Sequence, residues 1–258
     1  MTLLDDQLCL ELTDDVLEHA QASARDFRSV TSTVVIGLPL HILHGGIAVR
    51  SIQSIHGIRS VILDARLFGT PAELWRGIQA AASLQITAVT VCTFSGPAAI
   101  KAANEAAIVI QKRQSLPKKI GIFGTLLPPC EHFRNTANAV DIHQSRGDYV
   151  LQMTRMLQEC GADAVVVDYN DIRGIRRHFK RFPVLSRARC PIRVSDFQLV
   201  AEKPQDPGWG NAIAAGASHV FFSPSLVNLY DVDTVSSLLR KLLDLQVKES
   251  KQKKHLLP

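Results

Sequence analysis

CGADAVVVDYNDI (160–172) and AGASHVFFSPSLV (215–227) carry the same local message. Each begins at a helix end marked by glycine, passes through Gly-Ala-x, and enters a short apolar stretch. Glycine is the residue that turns left-handed at low cost just past a helix. A brief continuous apolar run reads as a strand buried on both faces, as in parallel sheets. The strands so marked are AVVVDY (164–169) and HVFFSP (219–224). Working outward, six further runs have this character: QLCLEL (7–12), TVVIGL (33–38), SVILDAR (60–66), AVTVCTF (88–94), KIGIFGT (119–125) and PIRVSD (191–196). Stretches of helical periodicity separate all eight. Right-handed crossovers close eight such units into a barrel, so the expected fold is α/β, a (β/α)8 TIM barrel.

The bulk numbers agree. A chain of 258 residues suits one such barrel, and 46% hydrophobic residues with only 6% aromatics predict a core of Ala, Val, Ile and Leu. One domain is expected over 1–247, followed by a basic tail over 248–258. Thr13 before Asp14 and Asp15 reads as a helix N-cap; Pro71, after Thr70, and Pro97 each open a helix, and Gly161 and Gly216 close two more. Pro128 to Gly147 reads as a long polar loop at the barrel mouth, either a lid or a passive excursion.

Several classes are excluded from the expectation. The opening MTLLDDQLCLEL has acids where a secretory signal has basic residues, and no apolar run reaches the ~18 residues of a membrane helix. Five scattered cysteines without a CxxC pair suit a reducing compartment, so a cytoplasmic protein with no membrane partner is expected. The net charge of +5 is uneven: eight Arg and Lys residues and no acid lie between Arg173 and Arg193. This block is either a solvated helix face or a lure for a phosphate or an acidic partner. It lacks interleaved aromatics and any nucleic-acid motif, so nucleic acid is not expected as a partner.

In this fold chemistry sits at the C-terminal ends of the strands. Ile62, Asp64 and Arg66 share strand parity, so an inward Ile62 places both charges in the upper barrel. Opposite charges there can satisfy each other as a structural ion pair or serve a ligand. Asp168 ends the sixth strand as a base, a hydroxyl acceptor or a helix cap. His41 and His44 are too weakly spaced to define a metal site, Gly45-Gly46 lacks the spacing of a phosphate loop, and Cys130 has no partner base. Neither a metal nor a cofactor is expected.

The segment from Val61 to Pro71, VILDARLFGTP, resembles the third-strand signature Asp-x-Lys-x-x-Asp-Ile-Pro of orotidine 5′-phosphate decarboxylases. LELTDDVLEHA (10–20), VVIGLPLHILHGG (34–46), GIFGTLLP (121–128) and PGWGNAIAAGASHVFFSPSL (207–226) resemble further units of that family. The resemblance implies a homodimer joined through the open barrel ends and a phosphorylated small-molecule ligand. It makes Asp64, Arg66 and Glu11 the candidate catalytic residues, and Thr70, Thr125, Asp168, Ser195, Ser223 and Ser225 the candidate substrate-binding residues.

The departures are chemical. The family's catalytic lysine falls on Arg66, its second acid on Gly69, its second-strand lysine on Val35, its first-strand aspartate on Glu11, and its phosphate-binding Gly-Arg on Ser223-Pro224. An arginine, with a pKa above about 12, holds an anion well but gives up a proton reluctantly. The resemblance therefore implies loss of the alternating charge array and altered or lost decarboxylation. A divergent phosphate-ester enzyme, a non-catalytic binding or regulatory homodimer, and a genuine decarboxylase of pyrimidine biosynthesis all stay open.

Overall fold

The computed structural model describes residues 6–126, 133–187 and 209–223. Eight parallel strands close into a barrel in chain order. They are β1 (Leu8–Leu12), β2 (Thr33–Ile36), β3 (Ser60–Leu67), β4 (Ala88–Cys92), β5 (Gly121–Thr125), β6 (Ala164–Asp168), β7 (Val184–Arg187) and β8 (His219–Phe222). The described helices are α1 (Leu17–Phe27), α2 (Leu38–Gln53), α3 (Pro71–Ser83), α4 (Gly96–Arg113), α5 (Phe133–Ala139), α6 (Arg146–Glu159), α7 (Ile172–His178) and α8 (Trp209–Ala214).

Strand alternation divides the core in two. Cys9, Val35, Ile62, Ala88, Phe123, Ala164, Val166, Leu185 and Phe221 point inward and plug the barrel. Their outward neighbours, such as Leu10, Val34, Leu63, Val89, Ile122, Val165 and Val220, pack under the helices. Because successive side chains alternate, two residues up from the plug lie the next inward positions. Those are Glu11, Asp64, Thr90, Thr125, Asp168, Arg187 and Ser223. The barrel's upper layer is thus polar in every one of these strands, above a wholly apolar plug.

The helix ends follow local chemistry. Thr70 caps α3 in a reciprocal capping box with Glu73, and Pro71 occupies the first turn. Gly161 and Gly216 take positive φ of 78° and 106° just past α6 and α8. Three expectations are corrected. Thr13 does not cap α1, which starts at Leu17 behind Val16 with no side-chain cap. The long loop from Pro128 contains α5, so part of it is regular structure. Most important, the seventh strand is Val184–Arg187, paired with β6 and β8, and not 191–196. The longer apolar PIRVSD outcompetes the four-residue VLSR on pattern alone, yet VLSR directly follows α7 and carries the barrel register. Residues 191–196 and the tail over 248–258 lie outside the described residues.

The closed end of the barrel is tied by polar contacts. Asp6 Oδ2 accepts from Ser32 N at 2.8 Å and Ser32 Oγ at 2.6 Å. Asp163 Oδ2 accepts from Lys119 Nζ at 2.6 Å and Ile122 N at 2.8 Å. No described helix is long and apolar enough to cross a membrane.

Candidate active site at the barrel mouth

The site grows from an irregularity in β3. Leu63 pairs with Val89, but Leu67 pairs with Val91, so β3 carries extra residues across Asp64, Ala65 and Arg66. Such a bulge re-aims side chains at a barrel rim. Arg66 takes a left-handed φ of 46°, rare for a residue with a side chain. Thr90 holds the distortion in place. Its Oγ1 accepts from the Arg66 backbone N–H at 2.8 Å and donates to Asp64 Oδ1 at 2.8 Å.

Asp64 is 1% exposed, and a lone carboxylate there would be costly. It is compensated on both oxygens. Besides Thr90 on Oδ1, Oδ2 receives Arg66 Nε and Nη2, each at 3.2 Å, and lies 2.5 Å from Arg187 Nη2. Arg187 Nε in turn sits 3.8 Å from Glu11 Oε1. The charges therefore alternate in space as Arg66, Asp64, Arg187, Glu11. Positions 35 and 69 carry no charge, as the sequence implies, but a different alternating set stands here, its second cation supplied by β7.

The two cations differ in setting. The Arg187 side chain is 13% exposed and lies near the ring of Phe221 in the plug, whereas the Arg66 side chain is 38% exposed. Arg66 spends Nε and Nη2 on Asp64, and its Nη1 has no hydrogen bond among the described residues. Asp64, held by two guanidiniums and a hydroxyl, is placed to fix the cations. Thr125 lies on the same inward layer, and its buried Oγ1 has no hydrogen-bond partner among the described residues. An unpaired buried hydroxyl calls for a partner.

Other candidates are employed elsewhere or fall outside. Asp168 ends β6 but is held by Arg146, whose Nη2 lies 3.1 Å away. Arg146 also donates through Nε to Asp171 Oδ1 at 3.0 Å and through Nη2 to Asp171 Oδ2 at 2.5 Å. Burial pushes the Asp171 carboxyl up, opposed by Arg146. With Phe133 under the guanidinium and beside Tyr149, this cluster fastens α5 and α6 to the end of β6. Thr70 gives its hydroxyl to Glu73 Oε2 at 2.8 Å within the α3 cap. Ser223 follows β8 on the inward parity. Ser195, Ser225, Pro224 and Cys130 lie outside the described residues. With β7 at 184–187, Ser195 no longer marks that strand's end. His41 and His44 do not converge on a metal position; His44 Nε2 bonds the Asp15 carbonyl at 2.9 Å. Burial pushes the Cys92 thiol up, away from nucleophilic use.

No family model and no curated protein matches this sequence. Solved structures do. The barrel superposes on orotidine 5′-phosphate decarboxylase from Lactobacillus acidophilus with a TM-score of 0.71 and 17% identity, covering 92% of this chain and 99% of that one. The fold is that of orotidine 5′-phosphate decarboxylases. The enzyme from Pyrococcus horikoshii OT3 gives a TM-score of 0.67 at 16% identity over 91% and 98% of the two chains. An uncharacterized conserved protein from Geobacillus kaustophilus gives 0.73 at 18% identity over 91% and 99%.

Within this decarboxylase fold, the position that resemblance gives to a second acid is crowded by the α3 cap. Gly69 has φ of 153°, and a Cβ there would lie 2.6 Å from Glu73 Oε2, the carboxylate of the α3 capping box. A side chain at 69 would require the Glu73 carboxylate to shift out of the capping box.

Sequence reasoning missed Arg187 and Thr90. Arg187 was hidden in the basic block, where Arg173, Arg177, Lys180 and Arg181 are indeed exposed. Arg176 is a third case, donating to the Gly216 and Phe182 carbonyls. The available signal was parity: Arg187 stands two beyond Leu185, and Thr90 two beyond Ala88, each in a short apolar run.

Proposed function

We propose that the barrel mouth binds a small phosphorylated molecule through Arg66, with decarboxylation altered or lost. The observation that carries this reading is the Arg66–Asp64–Arg187 arrangement. A buried carboxylate fixes two guanidiniums, and the outer one keeps donors toward the mouth. A guanidinium presents a planar fork that matches phosphate and carboxylate oxygens. Both cations of the array are arginines, so neither supplies the readily transferred proton that a carbanion-like centre needs. The solved structures sharing this fold include decarboxylases of a nucleotide phosphate, which favours a phosphate ester as the ligand. Thr125 Oγ1 offers a further hydrogen bond in the same layer.

We further propose a homodimer joined through the mouth. Leu38 and Ile42 on α2, Phe68 after β3, and Phe94 after β4 are large apolar residues left exposed beside the strands' C-terminal ends. A second copy covering them would exclude water from the charged array.

The test is thermal unfolding of the full chain with orotidylate, uridylate and ribose 5-phosphate, beside an assay of CO2 release from orotidylate. A ligand at one hundred times its Kd stabilises by about 2.7 kcal/mol. The expected result is stabilisation without CO2, lost in Arg66→Ala. CO2 release abolished by Arg66→Ala would refute lost decarboxylation, and no stabilisation by any phosphate ester would refute the binding role. Sedimentation of Ile42→Asp/Phe68→Asp against the parent chain tests the dimer.

A further inference from the structure

We infer that the closed end of the barrel holds a second small-molecule site, suited to a compact carboxylate with an apolar body. A cavity of about 370 Å³ lies between the start of β3, the α3–β4 connection and the α4–β5 connection, far along β3 from Arg66. Its size is within the usual range of small-ligand pockets. The apolar part comes from Ala82, Ile86, Leu116 and Ile120, and the polar rim from Arg59, Lys118, Gln85 and Gln114. Among the described residues no carboxylate lines it. Lys119, also on the wall, is already neutralised by Asp163 at 2.6 Å. Arg59 is anchored by Nε on Ser32 Oγ at 3.0 Å, leaving its two terminal nitrogens, while Lys118 is exposed. The unpaired electrostatics of the cavity are thus those of an anion receptor.

A second observation points the same way. Gln85 and Ser115 follow the ends of α3 and α4 with left-handed φ of 55° and 52°. Glycine takes that conformation with least strain. Here side chains are kept at both turns, and both turns border this cavity: Gln85 is itself part of the wall, and Ser115 sits between Gln114 and Leu116. The Gln85 carbonyl is pinned by Gln53 Nε2 at 3.1 Å, which fixes the rim without using the Gln85 amide. The chemistry that fits is one anionic head between Arg59 and Lys118, amide contacts from the glutamines, and an apolar body against Ile86 and Leu116.

The site is separable from the mouth. The probe is 2-naphthoate, with uncharged 2-naphthamide as control, titrated calorimetrically into the full chain. The expected result is one-to-one binding of 2-naphthoate, at least tenfold weaker for 2-naphthamide, at least tenfold weaker in Lys118→Glu and unchanged in Arg66→Ala. Lys118 is exposed, so its variant retains the fold, which circular dichroism checks. No heat of binding at millimolar 2-naphthoate overturns the inference. So does binding that survives Lys118→Glu or disappears in Arg66→Ala, since the probe then occupies another place.

Discussion

Replacing Arg187 with methionine tests whether the array at the mouth is a coupled unit. Methionine keeps much of the volume and stem of arginine while removing the charge. In the parent chain Arg187 Nη2 lies 2.5 Å from Asp64 Oδ2, with side-chain exposures of 13% and 2%. Breaking a buried pair costs about 3–5 kcal/mol, because the remaining charge loses its compensation. Asp64 keeps Arg66 and Thr90, which argues for the lower end, about 3 kcal/mol. At about 2–4 °C per kcal/mol for a chain of this size, the melting temperature should fall by roughly 6–12 °C. Asp64→Leu alone should also destabilise, since among the described carboxylates it leaves Arg187 with the 3.8 Å contact to Glu11. Asp64→Leu/Arg187→Met should be less damaging than the sum of the single changes by at least about 1.5 kcal/mol. Equilibrium urea unfolding, followed by circular dichroism, supplies all four corners of the cycle. A fall of less than about 2 °C in Arg187→Met, or additive effects within about 0.5 kcal/mol, would refute the coupling.

Three other outcomes are expected. Arg66→Gly should be more stable than Arg66→Ala by about 1 kcal/mol in urea, because both lose the Asp64 contact but only glycine relieves the φ of 46°. Thr70→Ala should cost about 1 kcal/mol and lower the melting temperature, since it removes the cap of α3 whatever Thr70 does for a ligand. Burial holds the His219 imidazole below its usual range, with neutral Nδ1–H donating to the Asp6 carbonyl at 2.8 Å. The unfolded chain takes the proton first, at about pH 6.5. Its contribution is therefore full above that pH and is lost as pH falls through the folded value. Urea midpoints from pH 5 to 7.5 should rise with pH, less steeply in His219→Gln.

The barrel was legible because buried parallel strands announce themselves as short apolar runs, as in AVVV at β6. The error at β7 has the same origin. A strand of four residues, Val184-Leu-Ser-Arg187, satisfies the barrel through register with β6 and β8, and no local pattern distinguishes it from a loop. Parity from Ile62 correctly aimed Asp64 inward. It could not foresee that Arg66 reaches Asp64 through a bulge, because a bulge depends on the unequal register of β3 and β4. Pairings across the barrel, such as Arg187 with Asp64 and Glu11, join residues far apart in the chain and leave no mark on spacing.

The cation on β7 and the glycine at 69 have one structural logic. At the end of β3 the chain turns through Gly69 and immediately caps α3 with Thr70 and Glu73. The cap satisfies helix N–H groups, and Glu73, held below the usual carboxylate range by its bonds to Thr70, stays ionised beside the helix start. That carboxylate fills the space a side chain at 69 would need. An acid at position 69 would need Glu73 to leave the capping box and would sit on a backbone with φ of 153°. With that acid absent, the charge of Asp64 is balanced from within the barrel, by a guanidinium rising from β7 beside the one on β3. Two arginines set against Asp64 and Glu11 leave the array without net charge, so what the outer one offers the mouth is a directed guanidinium fork that gives up a proton reluctantly.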